Sequence, residues 1–175
     1  MTLAVVDTNV ILVANNAHAD VSPECVLECV RRLEQLTRNG AIAIDDAYRI
    51  LGEYQHKTSP RKGKGVGDVF IKWILSKLGD SQRVQQVALT ELTKDQFAEF
   101  PVPELEEFDQ PDRKFVAVAN AHPAKPPIWQ AADCKWLDWW PELRAKGVEV
   151  TFLCGEDVCR FYEKKFPAKP KPGLP

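Results

Sequence analysis

The chain has 175 residues, an apolar fraction of 45%, a charged fraction of 27% and a formal net charge of −2. That length suits one domain with a real core, and the composition is that of a globular protein. The near-neutral balance gives no global attraction to nucleic acid, and no apolar run approaches the roughly 20 residues of a membrane span. Met1-Thr2-Leu3 offers no basic leader and Asp7 interrupts any apolar stretch behind it, so no secretory signal is expected.

Leu3-Ala4-Val5-Val6 is expected to be a first, central, parallel strand. Ser22 is a good N-cap, followed by Pro23 at the first helical position and Glu24 in the first turn. The helix it opens carries Val26, Leu27, Val30, Leu33 and Leu36 at helical spacing, and Gly40 stops it. Ala41-Ile42-Ala43-Ile44 is a second strand, after which Asp45 or Asp46 caps a helix carrying Glu53. A Gly- and Lys-rich loop, Arg61 to Gly67, leads into an amphipathic helix around Phe70, Trp73, Ile74 and Leu78.

Arg83 to Leu89 is a candidate strand, and Pro101 to Pro111 an acidic connection. Asp112 opens a helix with Phe115, Val116, Val118 and Ala119 inside, and Pro123, Pro126 and Pro127 end it before a strand at Ile128. Trp136 to Arg144 is expected to be helical, and Val148 to Leu153 a buried strand closed by Gly155. Strands alternating with helices argue for an α/β fold, a parallel sheet with helices on both faces. The tail Pro167-Ala168-Lys169-Pro170-Lys171-Pro172 suits neither helix nor sheet and is expected to be mobile.

Five cysteines form an odd set without a Cys-x-x-Cys pair. Cys25 and Cys29, four apart on a helix, suit zinc only if two further ligands join them; burial on an apolar face is the plainer expectation. The set points to a reducing cytosol rather than a disulfide scaffold. His18, His56 and His122 lack zinc spacing, and none is assigned a metal.

The chemistry lies in the acidic residues. Asp7 ends one apolar run and Asp133 follows another, Ile128 to Ala132, while Glu53 and Asp112 lie in helix-like stretches. Carboxylates at the C-terminal ends of buried parallel strands face the crevice where α/β sheets bind ligands. Several together need a positive partner, and Mg²⁺ or Mn²⁺, which prefer oxygen ligands, are the usual candidates. Two such ions roughly 3.5–4 Å apart can activate a water and stabilise a leaving oxygen in phosphodiester hydrolysis. Each residue also has a plain structural role open to it: Asp7 and Asp112 as helix caps, Glu53 as a solvated helix residue. Asp133 competes with Asp138 for the fourth position, and Asp109 is an outside candidate.

In these residues the chain resembles the PIN-domain family of metal-dependent ribonucleases. Val5-Val6-Asp7-Thr8-Asn9-Val10-Ile11-Leu12 is similar to that family's opening strand and first catalytic aspartate. Glu53, the segment Asp112 to Ala119, and Ala131-Ala132-Asp133 are similar, in order, to its other acidic positions. Ala131-Ala132 departs from the pattern by lacking the hydroxyl often found there, and Gly63 to Asp109 is longer than a minimal PIN domain needs. The resemblance implies a three-layer α/β/α sandwich over residues 1–155, with a C-terminal helix and tail over 156–175. It implies a cytoplasmic endoribonuclease cleaving single-stranded RNA, with Asp7, Asp112, Asp133 and Glu53 as metal ligands. Asn9 would orient Asp7, and an antitoxin-type protein partner or a homodimer would be in keeping.

The Gly-x-Gly-x-Gly spacing at residues 63–67 lacks the Gly-Lys-Ser/Thr end of a P-loop. Arg61, Lys62 and Lys64 are candidates for touching RNA phosphates, with a solvated linker as the alternative. Trp136, Trp139 and Trp140 either stack bases or, as expected for at least two of them, join the core or a partner interface. Two other functions compete: a PIN-like binding or assembly module without catalysis, and a receiver-type domain modified at Asp7. The latter needs a second acid beside Asp7, where Thr8-Asn9 supplies none.

Overall fold

β1 (Thr2–Val6) forms the centre of the sheet, as its apolar run requires, in a computed structural model that describes residues 1–175. It pairs in parallel on one side with β2 (Gly40–Asp45), Leu3 opposite Ala41, and on the other with β6 (Ile128–Gln130), Val5 opposite Ile128. β3 (Val84–Val87) adds outside β2 and β7 (Val150–Phe152) outside β6, both parallel. The order is β3-β2-β1-β6-β7. β2 is buried at every residue, so both of its faces are covered, as expected of a strand inside a parallel sheet. The expected α/β fold with a mainly parallel sheet is present.

Seven helices connect and flank the strands. α1 (Thr8–Ala14) starts one residue after β1 ends, and α2 (Pro23–Asn39) begins where Ser22 Oγ accepts from Cys25 N at 3.2 Å. Of its apolar positions Leu33 and Leu36 are buried, but Leu27 stands 68% exposed; the buried stripe runs instead through Cys25 and Cys29. α3 (Arg49–Lys57) is started by Asp45, fully buried, whose two oxygens accept from Arg49 N and Ile50 N, each at 2.9 Å. α4 (Val66–Ser76) carries buried Phe70 and Ile74, and α5 (Arg113–Ala121) buried Phe115, Val116 and Val118.

Three local expectations change. Within the long segment before Asp109 a small antiparallel hairpin appears, β4 (Glu91–Thr93) with β5 (Gln96–Phe97). The single helix expected over Trp136 to Arg144 is a 3₁₀ turn (Cys134–Asp138) followed by α6 (Trp140–Ala145), with Pro141 at the second helical position. Cys25 and Cys154, 129 residues apart, are joined by a disulfide, against the expectation of unpaired cysteines; Cys29, Cys134 and Cys159 are free.

α7 (Gly155–Lys165) packs Val158 and Tyr162 on Cys134 and Leu137, and Asp157 Oδ2 accepts from Ser22 N and Oγ at 2.8 Å. No helix is long and apolar enough to cross a membrane.

Candidate active site

Parallel pairing decides which chain segments meet. Because β1 lies between β2 and β6, the loops leaving their C-terminal ends converge. Asp7 N donates to Trp129 O at 3.0 Å, which extends the β1–β6 ladder to the residue carrying the carboxylate. Asp7 then caps α1 by accepting from Asn9 N at 2.8 Å. It is 5% exposed. Burial, then the charge of Asp112, and further Asp133 and Glu53, hold its carboxyl well above the usual range; the Asn9 N–H opposes them.

The resemblance implied that the Asn9 side chain orients Asp7, but that side chain makes no hydrogen bond to it; only the Asn9 backbone N–H does. Its Oδ1 accepts from Ala132 N at 2.8 Å, tying the turn after β1 to the turn after β6. That bond sets the position of Asp133, whose own Oδ1 caps the 3₁₀ turn by accepting from Lys135 N at 3.1 Å. Asp133 N in turn donates to Gln130 Oε1 at 3.3 Å, leaving the buried Gln130 amide nitrogen without a partner.

Glu53 is drawn in from α3. Its Oε1 accepts from Thr8 Oγ1 at 2.5 Å and its Oε2 from Lys114 Nζ at 2.5 Å, so it is not the solvated helix residue that its sequence context allows. The neighbouring Tyr54 donates its hydroxyl to Val6 O, fastening α3 to the end of β1. Burial first, then Asp7, push the Tyr54 phenol up, so it remains a donor.

Asp112 ends a 3₁₀ turn (Gln110–Asp112) at the start of α5, but its side chain caps nothing. Burial, then Asp133 and Asp109, push its carboxyl up to about 7; Lys114 opposes this and Glu53 adds to it. Lys114, buried at 6% exposure, also donates to Pro111 O. Asp109, on the rim, pairs with Lys135. Asp138 points elsewhere, accepting from Tyr162 Oη at 2.6 Å and Lys169 Nζ at 3.1 Å. The charges of Asp112, Asp133 and Glu53 thus act on Asp7, and those of Asp133 and Glu53 on Asp112. No three of these residues bring oxygens within 4.8 Å of one another. Tyr54 and Lys114 carry no local mark of holding this site, since Val6 and Glu53 lie 48 and 61 residues away. Gln130 meets Asp133 only three residues on, and Thr8, which beside the strand end could orient Asp7 or cap the turn, bonds Glu53.

The loop Arg61–Gly67 is built around Asp68. Its carboxylate accepts from Ser59 N at 3.1 Å and Gly65 N at 3.2 Å, so the start of α4 is met by the protein's own anion. A Cβ at Gly63 would lie 2.1 Å from Asp68 Oδ2, and one at Gly65 2.2 Å from Asn15 Oδ1. These glycines allow close packing on Asp68 and Asn15, which accounts for the spacing without a phosphate. Arg61, Lys62 and Lys64 are exposed. Of the tryptophans, Trp136 is buried edge-on to Phe108 at 5.2 Å, and Trp139 and Trp140 are half-buried against the core.

No protein-family model matches the chain, and neither a curated protein nor a solved structure does.

Proposed function

We propose that the protein is a PIN-like endoribonuclease that hydrolyses phosphodiester bonds of single-stranded RNA with Mg²⁺ or Mn²⁺. The observation that carries this is Asp112: a carboxyl at the start of α5 that caps nothing and stands within electrostatic reach of Asp7, Asp133 and Glu53. A structural aspartate would spend its oxygens on backbone N–H groups, as Asp45 does. The sheet order supports the three-layer arrangement: right-handed crossovers would set α2 to α4 on one face and α5 and α6 on the other.

An all-oxygen donor set whose carboxyls are raised by burial and, beyond that, by one another's charge fits a hard divalent ion, whose positive charge opposes both. Asp7, Asp112 and Asp133 would hold it, with Glu53 direct or through water. Bound there, the ion supplies positive charge at the scissile phosphate and lowers the pKa of the attacking water. The chain's own groups do the positioning. Asn9 and Thr8 fix Asp133 and Glu53 against the end of β1, and Lys114 and Lys135 flank the carboxylates as cations toward a phosphodiester.

Lys114 also favours a second reading, a non-catalytic binding module, because an internal ammonium already neutralises Glu53. Cleavage of single-stranded RNA that needs Mg²⁺ or Mn²⁺ and stops with EDTA separates the two. Asp7→Asn keeps a cap acceptor for Asn9 N while removing the charge. Losing a group that only orients a ligand costs about 10–100-fold, so loss of a ligand should cost at least roughly 100-fold. Near wild-type turnover in folded Asp7→Asn protein would reject the nuclease.

A further inference from the structure

We propose that Cys25, Cys29 and Cys154 form a second metal site, for a thiophilic cation such as Zn²⁺ or Cu⁺, which is open when the three are reduced and closed by the Cys25–Cys154 disulfide. The three sulfurs lie within 4.8 Å of one another, and all three residues are buried. Cys25 and Cys29 are one turn apart on α2, so they project from one face of the helix. Cys154 lies in the turn after β7, immediately before α7, and its Sγ is 3.9 Å from that of Cys29. Two sulfurs held at about 2.3 Å from one zinc ion are ~3.8 Å apart in tetrahedral and ~4.0 Å apart in trigonal geometry. Cys29 and Cys154 already stand at that separation. Once the disulfide is reduced, rotation about the Cys25 side chain brings the third sulfur to the same distance without moving backbone.

The local field suits thiolates. Cys25 lies in the first turn of α2 and Cys154 is the residue just before α7, so two helix N-termini meet at the cluster. Cys29 behaves differently: burial pushes its thiol up to about 12, so without a metal it stays protonated and unreactive. A cavity of about 380 Å³ opens beside Cys25 and Cys154 and would admit a water as a further ligand. Of the four acids lining this cavity, Asp157 is engaged with Ser22 and Arg160 and Glu28 with Arg31 and Arg32, while Glu24 and Glu156 form no ion pair. The donors that lie within 4.8 Å of one another are three sulfurs, a soft set unlike the oxygen set at the sheet edge.

The chemistry balances simply. A dithiol gives two electrons and two protons to the Cys25–Cys154 bond and becomes a disulfide itself. One metal ion then displaces three protons, from Cys25, Cys29 and Cys154, to water. The disulfide and the metal-bound state each cross-link α2 to the start of α7.

The test uses the full chain, reduced with a dithiol, freed of reductant without oxygen and checked for native circular dichroism. Zn²⁺ and Cu⁺ are titrated separately against chromophoric chelators, and Co²⁺ serves as a probe through its sulfur-to-metal charge-transfer band. Reduced wild type and Asp7→Asn should each bind one equivalent with that band, whereas disulfide-bonded protein should show no such band. Cys29→Ser, which keeps the disulfide, should weaken binding at least tenfold when reduced. Preference for Cu⁺ marks a three-coordinate site and preference for Zn²⁺ a site completed by water; both uphold the assignment. Bound metal should also protect Cys25 and Cys154, but not the half-buried Cys159, from alkylation measured by mass. Reduced, folded protein that shows no thiolate-bound metal, or Cys29→Ser that binds as wild type does, would overturn it. Because Asp7→Asn leaves this site intact, its outcome is independent of the nuclease proposal.

Discussion

Lys114 and Glu53, 61 residues apart, share a hydrogen bond of 2.5 Å that places one ammonium among four carboxylates. The lysine is almost wholly buried, while Glu53 keeps about a quarter of its side chain in water. Removing one member of a buried pair costs about 3–5 kcal/mol, and the exposure of Glu53 lowers that figure.

Lys114→Met should therefore destabilise the protein by roughly 2–3 kcal/mol in EDTA, since Met fills the volume but leaves Glu53 without its cation. Added Mn²⁺ should then stabilise the variant more than it does wild type, the ion taking over the lost charge. Thermal melts with and without Mn²⁺ measure both effects. Equal Mn²⁺ shifts in the two proteins would mean that Lys114 and the ion do not meet the same charges.

Asp7 was legible because a short apolar run ends on it and Thr8-Asn9 follows; β2 was legible because Ala41-Ile42-Ala43-Ile44 can only be buried. Each depends on neighbours within a few residues. The partners of Glu53 and Asn9 depend instead on sheet order, which carries no local mark: Thr8 meets Glu53 across 45 residues and Asn9 meets Ala132 across 123. The Cys25–Cys154 disulfide hid for the same reason. Leu27 misled because the period of α2 admits either stripe, and the one that packs is lined by cysteines. The β4–β5 hairpin is two and three residues long and largely exposed, so no alternation announces it.

A pH dependence follows from Asp112, whose carboxyl is pushed up to about 7 by burial, Asp133 and Asp109. In the unfolded chain it titrates near its ordinary value, about 3.9. A group with a raised folded pKa gives stability that is complete below the unfolded pKa and is lost as pH rises through the folded one. In EDTA, wild type should lose melting temperature relative to Asp112→Asn between about pH 4 and pH 7, and the difference should level off above. Asp7 shifts in the same direction and adds to the slope that remains in the variant. Glu28, Glu91 and Asp157, held low by their partners, act oppositely, which is why the difference between the two proteins is the quantity to measure. A difference that is flat with pH would remove Asp112 from the cluster.

The basic loop separates a scaffold role from a binding role. Gly63→Ala should destabilise the protein, because its Cβ would meet the Asp68 carboxylate at 2.1 Å. Arg61, Lys62 and Lys64 are exposed, so replacing all three by Ala should leave the melting temperature nearly unchanged. If they contact phosphates, single-stranded RNA affinity should fall, and the slope of log affinity against log salt should flatten by up to about 0.7 per lost contact. An unchanged slope leaves the loop as a linker folded on Asp68.

Asp133 and Asp138 give the sharpest contrast between a site residue and a structural one, since they lie five residues apart at the two ends of one 3₁₀ turn. Asp133→Asn keeps an oxygen to accept from Lys135 N, so the cap survives and only the charge goes. Two carboxylates about 5 Å apart at an effective dielectric near 20 repel by roughly 3 kcal/mol, a ceiling that solvent and proton uptake lower. Asp133→Asn should therefore raise the melting temperature in EDTA and shrink the stabilisation given by Mn²⁺. Asp138→Asn weakens the bonds from Tyr162 and Lys169 and relieves no repulsion, so it should cost about 1 kcal/mol with or without Mn²⁺. The four melting curves, two variants each with EDTA and with Mn²⁺, carry the decision. If Asp133→Asn melts lower in EDTA and answers Mn²⁺ as wild type does, Asp133 serves only to cap its turn, and Asp7 and Asp112 must hold an ion without it.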